Sequence, residues 1–279
     1  MTAAKSLEQA LAEAFVTADS LKAPLKDRLK LYLVESRRLL PDLEGTYDQL
    51  VQRIAVNGAD AFVPAVGEVL PNFLMTDAKG HLVELGSLLA KGPLVISFNR
   101  GPWCDYCGLE LHALARAYPA IVAAGGEVVS IVPETGKYAK TLQTVRDLPF
   151  RVLTDLDLAY ALSLGLVFWV GDKIKDTYRG FGIDLQRFQG NGGWFLPFPR
   201  PSSWDRTAAS RRASSILISA IAWRSRTFLA RSAERLDVLL KGAFRRDSPA
   251  QSGAVGKNWL LTFRARRHAK LPLSAAISV

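Results

Sequence analysis

Two cysteines, Cys104 and Cys107, lie in the stretch Phe98-Asn99-Arg100-Gly101-Pro102-Trp103-Cys104-Asp105-Tyr106-Cys107-Gly108. C-x-x-C spacing fits only a few chemistries. A structural zinc site needs four ligands, but the chain has no second cysteine pair and His81, His112 and His268 are scattered. A disulfide across two intervening residues closes too small a loop to stabilise much. Two inert buried thiols are the remaining alternative, and Gly101-Pro102-Trp103 reads instead as an exposed turn. Thiol redox chemistry fits best. The apolar run Pro93 to Phe98 precedes the pair, and a helical pattern over Leu109, Leu111, Leu114, Ala115, Tyr118 and Ile121 follows it. This order of strand, turn and helix puts the pair at a helix N-terminus, where free amides and the helix dipole favour the reactive thiolate.

The neighbours carry secondary roles. Arg100 either stabilises a thiolate or is a solvated surface side chain, and Trp103 either forms a flat docking surface for a partner or packs. Asp105, between the cysteines, raises their pKa by like-charge repulsion.

The chain of 279 residues is long enough for a full core, and two cysteines do not make a disulfide-stapled secreted scaffold. Met1 to Ala10 has no apolar h-region, so no signal peptide is expected. The longest apolar run, Leu158 to Val170, is too short to span a bilayer. A cytoplasmic location without membrane attachment is the expectation. The net charge of +10 is unevenly spread. Residues 1–199 hold 20 Lys+Arg against 22 Asp+Glu, net −2, and residues 200–279 hold 16 against 4, net +12.

Residues 1–62 read as an N-terminal helical extension. Leu7, Leu11, Ala14 and Phe15 recur at helical spacing, as do Leu21, Leu25, Leu29 and Tyr32, with breaks at Pro24 and Pro41. This arm packs on the core or on a second copy of the chain in a homodimer, and nothing in it suggests chemistry. From residue 63 the pattern turns to β and α. A hairpin has its turn at Ala78-Lys79-Gly80, followed by the strand 93–98 and a helix from Cys104 to about Ala124. A strand at 127–132, a helix around 138–145, a strand at 150–153 and a helix at 157–164 complete the alternation. The pattern predicts an α/β domain, a central mixed sheet flanked by helices.

The segment Val66-Gly67…Pro71-Asn72-Phe73…Asp77…Gly80…Leu85 resembles the opening of the alkyl hydroperoxide reductase/thiol-specific antioxidant, or peroxiredoxin, family. Trp103-Cys104-Asp105-Tyr106-Cys107 is similar to the Trp-Cys-x-x-Cys turn of thioredoxins, and Tyr178 to Leu185 also resembles peroxiredoxin-like proteins with such a pair. The resemblance covers residues 63–199 and implies a thioredoxin-like fold. It also implies a cycle through Cys104 and Cys107 that reduces peroxides, regenerated by a thioredoxin-like protein and needing no cofactor or metal. A thiol–disulfide oxidoreductase acting on protein disulfides is the alternative. Counting without gaps puts Cys107 at the peroxidatic position and Cys104 where the family carries a peroxide-orienting threonine. By thioredoxin logic Cys104 is the attacking thiol and Cys107 resolves, so Cys104 is favoured for disulfide exchange while Cys107 stays open for peroxide attack. A missing donor of this kind typically costs ~10²–10³ in rate. Pro199 falls where thioredoxin-like folds place a cis-proline facing the pair, and Pro197 competes for that position.

Residues 200–279 form a basic, Arg/Ser-rich tail that does not continue the pattern. Possible codons for Pro199 to Trp204, begun at the third base, read Ala-Thr-Phe-Val-Val, as the resemblance would have it. The same shift over Ile216 to Leu229 permits an acidic, amphipathic helix. The tail therefore reads as a frame-shifted translation that leaves the last part of the fold lost, one sheet edge exposed and the product poorly stable. A genuine basic extension binding nucleic acid or acidic membranes is the other reading, although the domain itself gives no reason to expect a nucleic-acid partner. Sequencing the gene across the codons for Pro197 to Ser203 is expected to find the break. Tail peptides in the mass spectrum of the native protein would remove that expectation.

Overall fold

The computed structural model describes residues 6–56, 64, 69–197 and 216–218. Three helices open the chain: α1 (Leu7–Ser20), α2 (Leu25–Leu39) and α3 (Pro41–Val56). A capping box starts α1, with Gln9 N donating to the Ser6 hydroxyl and Ser6 N donating to Gln9 Oε1. Pro41 occupies the first position of α3, where its missing N–H costs nothing.

The body alternates as its sequence predicts. β1 (Leu74–Asp77) and β2 (Leu82–Glu84) form the hairpin, followed by α4 (Leu85–Leu89) and β3 (Leu94–Phe98). Next come α5 (Asp105–Ala123), β4 (Glu127–Val132), α6 (Gly136–Val145) and β5 (Arg151–Thr154). The helix expected at 157–164 is a 3₁₀ turn, Leu156–Leu158, followed by the short α7 (Ala159–Ser163). The remaining described elements are β6 (Val167–Trp169), α8 (Asp172–Gly180), α9 (Leu185–Gln189), β7 (Phe195–Pro197) and β8 (Ile216–Ile218).

A six-stranded mixed sheet in the order β2-β1-β5-β4-β3-β8 forms the centre, with β3, β4 and β5 parallel. Every residue of β3 is buried, as expected of a strand covered on both faces. Leu94, Ile96 and Phe98 face the core shared with α7, α8 and α9, and Val95 faces the core shared with α5 and α6. Fully burying each such side chain contributes about 1.5–3 kcal/mol. β6 and β7 pair apart from this sheet as a two-stranded ribbon.

The structure corrects one expectation. The edge of β3 is not open, because Ile216, Leu217 and Ile218 pair antiparallel with Phe98, Ser97 and Ile96. Three aliphatic residues suit a strand, and the pairing satisfies a row of ladder groups on β3 that would otherwise stay unpaired. The rest of the tail lies outside the described residues.

The helical arm packs on the domain. Ala14, Ala18, Leu29 and Tyr32 form a cluster with Leu109 of α5. Arg53 Nη2 donates to the carbonyls of Trp169 (2.6 Å) and Val170 (3.1 Å), and Tyr47 Oη donates to Tyr178 Oη at 3.1 Å. Asp19 ties α1 to α5 through His112 Nδ1 (2.9 Å) and Arg116 Nη2 (2.8 Å), and to α2 through Arg28 Nη1 (3.3 Å). No helix among the described residues is long and apolar enough to cross a membrane.

Desolvation alone would raise the Asp19 pKa, but the hydrogen bond and charge of His112, joined by Arg116, outweigh it and hold the carboxyl below its usual range. A depressed carboxyl stabilises the fold above its unfolded pKa, and that contribution is lost as pH falls through the lower folded value. Asp19→Asn is therefore expected to lower the melting temperature at neutral pH. The gap from the wild type should close in acid, read by circular-dichroism melts across pH.

Candidate active site

The cysteine pair stands where β3 hands over to α5. Asn99 N donates to Ile131 O at 2.8 Å and extends the β3–β4 pairing by one residue before the chain turns. Gly101 takes φ +136°, a conformation that other residues rarely adopt, and a Cβ there would run into the Glu134 carboxyl. Cys104 N donates to Gly101 O at 3.2 Å and closes the turn.

Cys104 is the N-cap of α5 and Cys107 lies in its first turn, joined to it by a disulfide with a Cα–Cα distance of 5.3 Å. That separation is ordinary for a disulfide. Backbone amides reach both sulfurs. Cys107 N donates to Cys104 Sγ at 3.3 Å, and Arg100 N donates to Cys107 Sγ at 3.4 Å. The same donors would favour a thiolate once the bond is reduced.

The turn is not the exposed one read from Gly101-Pro102-Trp103. Gly101 is buried, Pro102 and Trp103 are half-buried, and Cys104 and Cys107 are only 6% and 4% exposed. The cause is packing by distant elements. Trp103 lies near-parallel to Phe188 (6.4 Å between ring centroids) and edge-on to Tyr178 (5.4 Å), and its Nε1 donates to Glu134 Oε1 at 2.9 Å. The Arg100 guanidinium lies over the Phe168 ring at 5.8 Å, so this residue meets the pair through its amide. Pro199 lies outside the described residues. Pro197 ends β7, and every described peptide bond is trans.

Several side chains at the site were not picked out from the sequence. Asp105 is held by Tyr32 of α2, whose Oη donates to Oδ2 at 2.6 Å, and by Arg146, whose Nη2 donates to Oδ1 at 3.3 Å. The hydroxyls of Tyr106 and Ser36 are hydrogen-bonded at 3.1 Å. The arm thus touches both residues between the cysteines. Beneath α5, Glu110 accepts from the Ser97 hydroxyl at 2.8 Å, and Asn99 Nδ2 donates to the hydroxyls of Ser97 and Ser130. Ser97 and Ser130 are register partners, each flanked by apolar residues in its strand, a signal readable in the sequence. Among the described residues, no group of three or more His, Cys, Asp or Glu side chains is placed to hold a metal ion.

Glu110 and Glu134 are both essentially buried, and each leaves its Oε2 without a hydrogen-bond partner. Burial pushes the Glu110 carboxyl up to about 8, with the Ser97 hydrogen bond pulling partly back. Burial likewise holds Glu134 well above the usual range against the pull of Trp103. A raised carboxyl contributes stability below its unfolded pKa that is lost as pH rises through the folded value. Wild-type stability is expected to decline from about pH 5 to 8 through Glu110. Glu110→Gln should flatten that part of the profile in urea titrations at several pH values.

Residues 66–178 match the AhpC/TSA family. Thiol-disulfide oxidoreductase ResA of Bacillus cereus (strain ZK / E33L) is 33% identical over 98 residues, 35% of this chain and 56% of the relative. ResA of Bacillus subtilis (strain 168) is 34% identical over 65 residues, 23% of this chain and 35% of the relative. The chain spans about half the length of the ResA proteins of Bacillus cereus and Bacillus thuringiensis that it matches. Among solved structures, Peroxidoxin BcpB from Mycobacterium tuberculosis superposes with a TM-score of 0.40 at 16% identity, over 63% of this chain and 96% of that one. A putative protein disulfide isomerase from Bacteroides thetaiotaomicron gives 0.35 at 13% identity, over 66% and 96%. Residues 66–178, the stretch that matches the AhpC/TSA family, have a thioredoxin-like fold and carry a C-x-x-C pair at the N-terminus of their longest helix.

Proposed function

We propose that the chain is a thiol-dependent peroxidase that works through a Cys104–Cys107 dithiol/disulfide cycle. The observation that carries this reading is the disulfide between the N-cap and the first turn of α5, with a backbone amide on each sulfur. Cys104 attacks as the thiolate. Its sulfur takes the terminal oxygen of the hydroperoxide, the O–O bond breaks, and the alkoxide or hydroxide leaves with a proton as alcohol or water. The sulfenic acid on Cys104 then condenses with the Cys107 thiol, releasing water and closing the disulfide. A thioredoxin-like dithiol protein returns two electrons and two protons, itself becoming a disulfide.

A second reading is favoured by the names of the ResA relatives and by Cys104 standing at the position of the peroxide-orienting threonine. Here Cys104 attacks a protein disulfide, and Cys107 resolves the mixed disulfide.

Peroxide-dependent NADPH oxidation, coupled through thioredoxin and its reductase, tests the first reading, and reduction of insulin disulfides tests the second. Cys104→Ser is expected to lower turnover by at least about 10³-fold. Cys107→Ser should allow one turnover and stop at a sulfenic acid on Cys104, detectable by a dimedone adduct. Full peroxide turnover by Cys104→Ser would transfer the attacking role to Cys107. Insulin reduction without peroxide turnover would establish the second reading in place of the first.

A further inference from the structure

We infer that Tyr32, from the helical arm, and Arg146, from the end of α6, are positioning residues that set the reactivity of Cys104 by engaging the carboxylate of Asp105. The inference rests on the proposed reading only in taking Cys104 as the attacking sulfur.

Asp105 directly follows Cys104, and a carboxylate that close opposes formation of a thiolate. Here both of its oxygens are occupied, Oδ2 by the Tyr32 hydroxyl at 2.6 Å and Oδ1 by Arg146 Nη2 at 3.3 Å. Neither donor is a loose surface group. Tyr32 is 4% exposed and packs edge-on against Tyr106, with ring centroids 5.0 Å apart. Burial, followed by the Asp105 charge, holds the Tyr32 phenol far above its usual range, so it stays a hydrogen-bond donor. Arg146 Nη2 also donates to Pro102 O in the cysteine turn at 3.4 Å. The Arg146 guanidinium lies 4.7 Å from the Phe15 ring and close enough to Gly108 that a Cβ there would come within 2.7 Å of its Cζ. Two arm residues, Phe15 and Tyr32, thus help fix a cation and a hydroxyl on the acid next to the reactive sulfur.

The other ionisable groups around the turn are engaged elsewhere. Glu110, on α5, bonds Ser97, and Glu134, after β4, bonds Trp103. The Arg100 guanidinium lies over Phe168, and the Tyr106 hydroxyl is hydrogen-bonded with Ser36 of α2. The charges of Arg37 and Arg100 act on Tyr106. His112 bonds Asp19, farther along α5. Asp105 is left as the carboxylate whose charge Tyr32 and Arg146 draw away from Cys104.

The test is the pH dependence of iodoacetamide alkylation at Cys104 in the reduced full chain carrying Cys107→Ser. Tyr32→Phe is expected to raise the Cys104 pKa by about half a pH unit to one unit. In an Asp105→Asn background the same substitution should change nothing, because the charge it controls is gone. Arg146→Gln supplies a second cycle with the same expectation should Tyr32→Phe fail to fold. An unchanged Cys104 pKa in the chain that retains Asp105, or an equal shift with and without that carboxylate as general loosening of the arm would give, overturns the inference. Alkylation needs neither peroxide nor disulfide substrate, so a chain inactive toward both still answers the question.

Discussion

The first turn of an α-helix presents amides for which the helix itself has no carbonyls, and Cys104 sits at the N-cap, from which a side chain can reach them. Its sulfur receives the Cys107 amide and Cys107 receives that of Arg100, so partial positive charge meets each sulfur without any metal or cofactor. Much of the surrounding structure serves to keep this turn in place. The parallel strands β3 and β4 carry the chain to it, Gly101 bends it, and the Trp103 indole pins it to Glu134. A loop free to unwind would lose both amide contacts together.

Burial sharpens this arrangement. In a site of low dielectric a fixed donor is worth more than in water, and an unpaired charge costs more. Burial raises the carboxyls of the two enclosed glutamates, whereas Asp105, at the rim, has both oxygens bonded to a hydroxyl and a guanidinium.

Much of this was legible in the residue order. The C-x-x-C pair, the apolar run before it and the periodic stretch after it are local patterns, and they yield a strand, a turn and a helix in the right order. The alternation from residue 74 to 154 gives the sheet for the same reason. The partners of the cysteine turn were not legible, because they come from elsewhere in the chain. Tyr32 meets Asp105 across 73 positions and Arg146 meets it across 41. The amphipathic pattern of the arm shows that it has a face to bury but not that Tyr32 of that face lands on the acid between the cysteines. Arg100, nearest in sequence, directs its guanidinium away toward Phe168. The strand at Ile216–Ile218 escaped because three aliphatic residues in an Arg/Ser-rich stretch carry little periodic signal, and their partner lies far back in the chain.

The pairing of β3 with β8 bears on how the chain is made. As the protein leaves the ribosome, β4 follows β3 closely and takes one of its flanks, whereas the strand for the other flank emerges only after the rest of the sheet. Throughout that interval a nascent chain displays a row of unpaired N–H and C=O groups along a largely apolar strand, a surface that invites pairing with a neighbouring polypeptide. That flank stays open until residues 216–218 have been synthesised.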